Sequence, residues 1–244
     1  MNNHFYVTLP SDSSVAYHPN NTIARFITKL PERIHLEGDY EMGLAEIIYP
    51  HTWYNVDNSD GKYWTGCKTE KEFPLLSGYY ENGSMLATVL SRDDIQFTYN
   101  EIINRFKLKI KDDIPTNFMM SDDLRRYLGF NFSNLSLTNT SLQEFSTEAF
   151  DLNRGLNFMY VYCDVAAHTV VGDTKTPLLR VCNVTGKHGE VVCHTYIQPH
   201  YVPVGCREFE TIEIAINNEL GKPMPFQYGK SVVTLHFRRQ HRLP

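Results

Sequence analysis

The chain has 244 residues, of which 42% are hydrophobic and 21% are charged, and its net charge is −5. These values are typical of a globular protein that buries a core without help from disulfides or metals. The mildly acidic balance argues against a protein that coats nucleic acid, because such proteins usually carry a basic face. Five irregularly spaced cysteines do not predict a secreted disulfide framework. We see no signal peptide and no run of about 18 apolar residues, so we expect an intracellular protein without a membrane span.

Alternating segments that end at proline or in a polar turn predict β-strands in the first part of the chain. They lie at residues 5–11, 22–30 and 40–49. In the third segment, the alternation places Tyr40, Met42, Leu44 and Ile48 on one face, which we expect to be buried.

The middle of the chain changes period and predicts two short helices. Asn82 can cap the first helix, and the second is expected to lie between the cap Ser121 and the stop signal Gly129. An antiparallel pair of strands is predicted between the helices, at residues 95–99 and 105–110. The polar stretch 131–150 is interpreted as a long surface loop.

Two long strands are predicted near the C-terminus, at residues 210–217 and 231–238. The rest of the fold is interpreted as packing against this pair. Period-two alternation gives each strand one apolar face. The apolar faces consist of Ile212, Ile214 and Ile216 in the first strand and Val233, Leu235 and Phe237 in the second. Two strands alone expose too many unpaired backbone groups, so they need a sheet around them. Further strands are predicted at 156–165, 177–184 and 191–204.

The strands do not alternate regularly with helices, which argues against a parallel α/β sheet. Their uneven spacing favours an all-β single jelly-roll sandwich of two antiparallel sheets, with about 8–10 strands and two short helices in the connections. No repeat, charge run or linker divides the sequence. Residues 1–244 are therefore predicted to form a single jelly-roll domain.

Potential metal donors cluster late in the chain, but their spacing fits no compact zinc pattern. These donors are Cys182, His188, Cys193, His194, His200 and Cys206. No cysteine is flanked by residues that would activate it as a nucleophile. The glycine and lysine pairs at 221–222 and 229–230 lack the strand–loop–helix context of a phosphate loop. We therefore predict no catalytic residue, no cofactor and no metal site, and a protein that acts through its surface.

Several segments without a chemical role have a distinctive residue order. They are Phe5-Tyr-Val-Thr-Leu-Pro-Ser11, Phe26-Ile-Thr-Lys-Leu-Pro31, the block from Leu36 to Asn55, Ile95-Gln-Phe-Thr-Tyr-Asn100, Leu128-Gly-Phe130, Leu156-Asn-Phe-Met-Tyr-Val-Tyr-Cys-Asp164, Pro177-Leu-Leu-Arg180, Tyr201-Val-Pro-Val204 and Val232-Val-Thr-Leu-His-Phe-Arg238. In this order they resemble the minor capsid (penton) protein of Maverick/Polinton elements and adintovirus-like DNA viruses. The resemblance spans nearly the whole chain.

The resemblance implies a single jelly-roll subunit of the virion. Five copies would form a homopentamer at each vertex of an icosahedral capsid, beside a double jelly-roll major capsid protein. It implies no enzyme activity and no cofactor, and we expect no direct binding to nucleic acid or membrane. A ring of five uses a head-to-tail interface, so two different patches on each subunit must match.

Candidate residues for that interface come from aromatic loop positions and from the connection between the last two strands. They are Trp53, Tyr54, Trp64, Tyr79, Tyr80, Pro223, Met224 and Phe226. For the aromatic loop residues, core packing is an equally good interpretation.

Two other functions stay open at this point. A jelly-roll ligand-binding module, lectin-like or cytokine-like, would normally carry a secretory signal and often calcium ligands or disulfides, and we see none of these. A cupin-type enzyme would need a tight His-x-His set with a carboxylate, which we do not find.

Overall fold

The structure is a computed structural model that describes residues 4–57, 62–66, 71–92, 95–110, 117–131, 135–136, 143–153 and 156–240. For residues 64–66, 71–72, 117–119, 135–136 and 143–144 it describes the backbone alone. In chain order the elements are β1 (His4–Pro10), β2 (Arg25–His35), β3 (Tyr40–Pro50), β4 (Lys62–Gly66), β5 (Lys71–Pro74), α1 (Gly83–Leu90), β6 (Ile95–Asn100), β7 (Arg105–Ile110), β8 (Asn117–Met120), α2 (Asp122–Leu128), β9 (Leu135–Ser136), β10 (Gln143–Phe145), β11 (Phe158–Cys163), β12 (Thr169–Val171), β13 (Thr174–Thr176), β14 (Leu178–Asn183), β15 (Val191–Thr195), β16 (Val202–Pro203), β17 (Glu208–Asn217) and β18 (Val232–Arg239).

The chain divides into two compact units. Unit 1 comprises Met1–Trp53 and Gly155–Pro244, and unit 2 comprises Tyr54–Arg154. Unit 2 is therefore inserted in sequence between β3 and β11 of unit 1. That residues 1–244 behave as one domain stays a prediction.

Unit 1 contains the five-stranded sheet A and the four-stranded sheet B, both antiparallel, around one core. Sheet A has the order β1-β18-β3-β15, with the short β16 also paired to β3, and sheet B has the order β14-β11-β17-β2. If the short strands β12, β13 and β16 are left out and the other eight strands of unit 1 are counted in chain order, sheet A holds the first, eighth, third and sixth, and sheet B holds the fifth, fourth, seventh and second. This is the strand order of a jelly roll. The predicted fold class is confirmed.

The core of unit 1 lies between the inner faces of the two sheets. The two predicted apolar faces are confirmed, because all six side chains are fully buried: Ile212, Ile214, Ile216, Val233, Leu235 and Phe237. Burial of a side chain of this size contributes roughly 1.5–3 kcal/mol relative to exposure. These two strands thus hold sheets A and B against a shared core.

In β3 the predicted buried face is correct in the first half and wrong in the second. Leu235 of β18 pairs with Leu44, but the preceding Thr234 pairs with Glu46, so β3 contains one extra residue. Such a bulge reverses which side chains face the core. Ile47 is consequently fully buried, whereas the predicted Ile48 lies on the opposite face and is only half-buried.

Unit 2 has its own core, formed by the sheets β10-β7-β6 and β5-β4-β8-β9 with the helices α1 and α2. Both predicted helices are confirmed with their caps. The Asn82 side chain accepts a hydrogen bond from the Met85 N–H at 2.8 Å, and Ser121 caps α2. Gly129 ends α2 with φ +78°, in the left-handed region that favours glycine.

The interpretation of 131–150 as a surface loop is wrong for part of that stretch. β10 pairs with β7, and Phe150 is buried in the core of unit 2. Residues 132–134 and 137–142 lie outside the described part. Among the helices that the structure describes, none has the length and apolar character needed to cross a membrane.

Candidate interface surfaces

The outer face of sheet A carries a cluster of aromatic and histidine side chains. His236 of β18 lies opposite Tyr6 of β1, and their rings stack with centroids 4.4 Å apart. The Tyr201 hydroxyl lies 2.7 Å from His236 Nδ1. The Arg238 guanidinium lies 3.5 Å from the centroid of the Tyr201 ring, and its Nε donates to Glu41 at 2.5 Å. The cluster therefore connects β1, β18, β3 and the segment before β16.

The outer face of sheet B divides into a charged half and an apolar half. The charged half, formed by β2 and β17, holds the cross-strand ion pairs Arg25–Glu213 at 2.6 Å and Arg33–Glu210 at 3.3 Å. His35 Nδ1 lies 2.8 Å from a Glu208 carboxylate oxygen on the same half. Exposed pairs of this kind contribute little to stability. On the apolar half, Phe158 of β11 and Val181 of β14 are 41% and 42% exposed. Sheet B thus presents two chemically different patches side by side.

A packed aromatic cluster lies at the end of β3 in unit 1. The His51 ring stacks on the Trp53 indole with centroids 3.9 Å apart. The Phe226 ring meets the same indole edge-on, with ring centroids 5.9 Å apart. Burial lowers the pKa of His51, although its hydrogen bond to the Thr185 carbonyl opposes that effect. Trp53 belongs to the core of unit 1. Phe226, which lies in the connection between β17 and β18, packs against that core.

The predicted interface residues fall into three groups. Trp53, Met224 and Tyr80 are buried, with exposures of 3%, 3% and 5%. Tyr54 and Pro223 are exposed, and Tyr79 and Phe226 are half-buried. The side chain of Trp64 lies outside the described residues. The interface role of this set stays a prediction, and Tyr54 and Pro223 are the exposed members among those whose side chains the structure describes.

The cysteine and histidine donors do not converge. Within the ranges that the structure describes, no three His, Cys, Asp or Glu side chains are grouped as a metal ion would need. Cys163 and Cys182 are buried in the core of unit 1, and burial raises the pKa of both thiols. Buried thiols with raised pKa values are poor nucleophiles.

Two open cavities of about 500 Å³ and 520 Å³ lie on unit 1. The first lies where the loop after β1 meets β2, and its charged residues Arg25 and Glu213 pair with each other. The second lies along β14 and is lined mainly by apolar residues from β12, β14 and the segment Pro199–Val202. Neither cavity gathers an obvious acid–base or nucleophilic pair.

The fold and the surfaces define a jelly-roll protein with an inserted unit. Its sheets carry an aromatic cluster on the outer face of sheet A and a charged and an apolar patch on that of sheet B. No protein-family model matches the chain, and no curated protein matches it either. Among solved structures, it is similar to the crystal structure of the selenomethionine-labelled mavirus penton protein, with 10% sequence identity and a TM-score of 0.47. The match covers 96% of this chain and 99% of that chain. No residue role is carried over from that structure to this chain.

Proposed function

We propose that this protein is a structural capsid protein, the penton subunit of an icosahedral capsid in a Maverick/Polinton-like DNA virus or element. The observation that carries the proposal is the strand order of sheets A and B in unit 1. It is the single jelly roll that the sequence resemblance implies, and the segments that carry the resemblance include strands of both sheets. A fold alone does not define a function. The proposal therefore rests on the fold together with the segments whose sequences resemble Maverick/Polinton penton proteins.

As a penton subunit, the protein would act through assembly in the virion and without catalysis. Its partners would be four further copies of the chain and a double jelly-roll major capsid protein. A five-fold ring needs two different matching patches on each subunit. The apolar half of sheet B supplies one such patch, because Phe158 and Val181 are large, exposed and adjacent to the half-buried Tyr160. Burial of such side chains is typical of the centre of a protein interface.

Co-expression with a double jelly-roll major capsid protein tests the proposal. Electron microscopy of the particles should place this chain at the five-fold vertices, and mass photometry of released vertices should give five times the chain mass of 28.2 kDa. Phe158→Glu should reduce pentamer formation. Ile102→Glu is the matched control, because Ile102 is 93% exposed in unit 2.

Particles whose vertices lack the chain, or an assembly with another number of copies, would contradict the proposal. A glycan array on the same material tests the alternative of a lectin-like binding module. Specific sugar binding by a chain that never enters particles would favour that alternative.

A further inference from the structure

Three residues, Pro199–Tyr201, form a strap that lies on the outer face of sheet A between β15 and β16. Gly43 of β3 makes room for it. A Cβ atom at position 43 would lie 2.7 Å from the His200 carbonyl oxygen and 2.9 Å from the Pro199 Cβ. The backbone of the strap therefore rests directly on the backbone of β3, with no side chain between them.

His236 is the side chain against which the strap is anchored. It pairs across the sheet with Gly43, and its Nδ1 lies 2.7 Å from the Tyr201 hydroxyl. Its Nε2 is buried and has no hydrogen-bond partner among the residues that the structure describes. A buried ring nitrogen without a partner is unfavourable, more so when it must carry a proton and a charge.

Charged and titratable groups reach His236 from every neighbouring element. From β1, the His4 ring lies 5.6 Å away and the Tyr6 ring stacks on His236. From β18, Arg238 adds a positive charge, which Glu41 of β3 partly neutralises. The strap contributes Tyr201 and the exposed His200. Burial, then His4, then Arg238 lower the pKa of His236.

We propose that the strap is an acid-sensitive latch, which stays on sheet A while His236 is neutral and is released when His236 is protonated. In the neutral ring, Nδ1 and the Tyr201 hydroxyl share a hydrogen bond whose direction depends on the tautomer. Protonation places a hydrogen on both ring nitrogens, so Nδ1 must donate to the Tyr201 oxygen. The buried Nε2–H then has no partner among the described residues, and a positive charge is confined beside Arg238. Release of the strap admits water to the ring and removes both penalties.

The direction of the pH effect follows from linkage. With the strap released, His236 approaches its ordinary pKa of about 6.5, whereas docking of the strap lowers that pKa. Docking is therefore favoured above about pH 6.5 and is lost as the pH falls through the lowered pKa. Between these two values, the ratio of released to docked strap rises about tenfold for each pH unit.

Release would also change the cavity along β14. Pro199, Tyr201 and Val202 line it together with Leu178 and Val181. With the strap displaced, the apolar side chains of β14 become more accessible. Acidification would thus expose apolar side chains of β14 in sheet B, because the strap leaves sheet A.

NMR of the isolated chain with ¹³C-labelled tyrosine and histidine tests the latch, independently of pentamer formation. At pH 7.5 the rings of Tyr201 and His236 should show a nuclear Overhauser effect, which should be lost at pH 5. The Tyr201 ring shift and the His236 imidazole should titrate with one midpoint below about 6.5. In His236→Gln the Tyr201 shift should not change over this range.

His200→Gln is the matched control and should keep the transition, because His200 is exposed on the strap itself. His4→Gln should keep it but move the midpoint to higher pH, because His4 is one of the groups that lower the pKa of His236. A Tyr201 transition that persists in His236→Gln would overturn the proposal. If that variant fails to fold by circular dichroism, the wild-type chain decides: an Overhauser effect retained where His236 is protonated would equally overturn it.

Discussion

Truncation of Phe237 to alanine tests which face of β18 carries the core of unit 1. The ring is fully buried, stacks on Phe5 with centroids 4.9 Å apart and lies 5.8 Å from Phe209. Removal of a buried phenylalanine ring costs about 3–5 kcal/mol, because transfer free energy is lost and a cavity remains. The total stability of a protein is about 5–15 kcal/mol. Phe237→Ala should therefore remove a large fraction of the free energy of unfolding of unit 1.

Urea denaturation followed by circular dichroism measures the change. The matched control is Phe158→Ala, which removes the same atoms from a residue that is 41% exposed on the outer face of sheet B. We expect this control to lose less than about 1 kcal/mol, in the range of surface substitutions. Equal losses in the two variants would refute the assignment of inner and outer faces on which the sandwich depends.

Three further predictions concern caps, turns and thiols. Asn82→Ala should lower the free energy of unfolding by about 1 kcal/mol through loss of the α1 cap, and no loss would contradict the cap. Gly129→Ala should lower it by more than Gly172→Ala. Both residues have positive φ, but a Cβ at 129 would lie 2.5 Å from a backbone oxygen and one at 172 meets nothing within 4 Å. Iodoacetamide at pH 8 should label the exposed Cys193 well before the buried Cys163, as peptide mass spectrometry can measure; comparable rates would argue against the burial of Cys163.

The sequence predicted β18 and most of β17 well, because β18 follows a period of two over its length and β17 does so from Thr211 onwards, after the register shift between Phe209 and Thr211. It predicted β3 less well, since one bulge residue reverses the faces after Leu44. The local signal is Glu46, which strict alternation from Met42 and Leu44 would place on the buried face, although Ala45, Ile47 and Ile48 are apolar and fit either face. The bulge depends on pairing with β18, which lies far away in sequence.

The sequence also did not predict that unit 2 is inserted into unit 1. Its strands β6 and β7 and both helices were predicted, but Tyr54–Arg154 begins and ends without a linker-like change in composition. Periodicity reports whether an element has a buried face and not which core covers it. Two separate cores are visible only when the contacts are known.

Among the candidate surface residues, exposure could not be predicted from residue type. Trp53 and Tyr54 are adjacent in sequence, yet the first is buried and the second is exposed. The strap was missed altogether, although Gly43 in the interior of a strand is a signal of close backbone approach. The spacing of the histidines was compared only with metal-binding patterns. His236 contacts Tyr201, which is 35 residues away in sequence, so local spacing does not predict this contact.

The position of β18 has a consequence for synthesis of the chain. Sheet A lacks an interior strand until β18 is complete, because β18 lies between β1 and β3. While the ribosome is still translating, β1 has no neighbour in its sheet, and the unfinished chain exposes apolar side chains that chaperones or proteases recognise. A polypeptide cut short before Val232 would therefore leave β1 unpaired and the inner face of sheet A incomplete, and we expect proteases to degrade it.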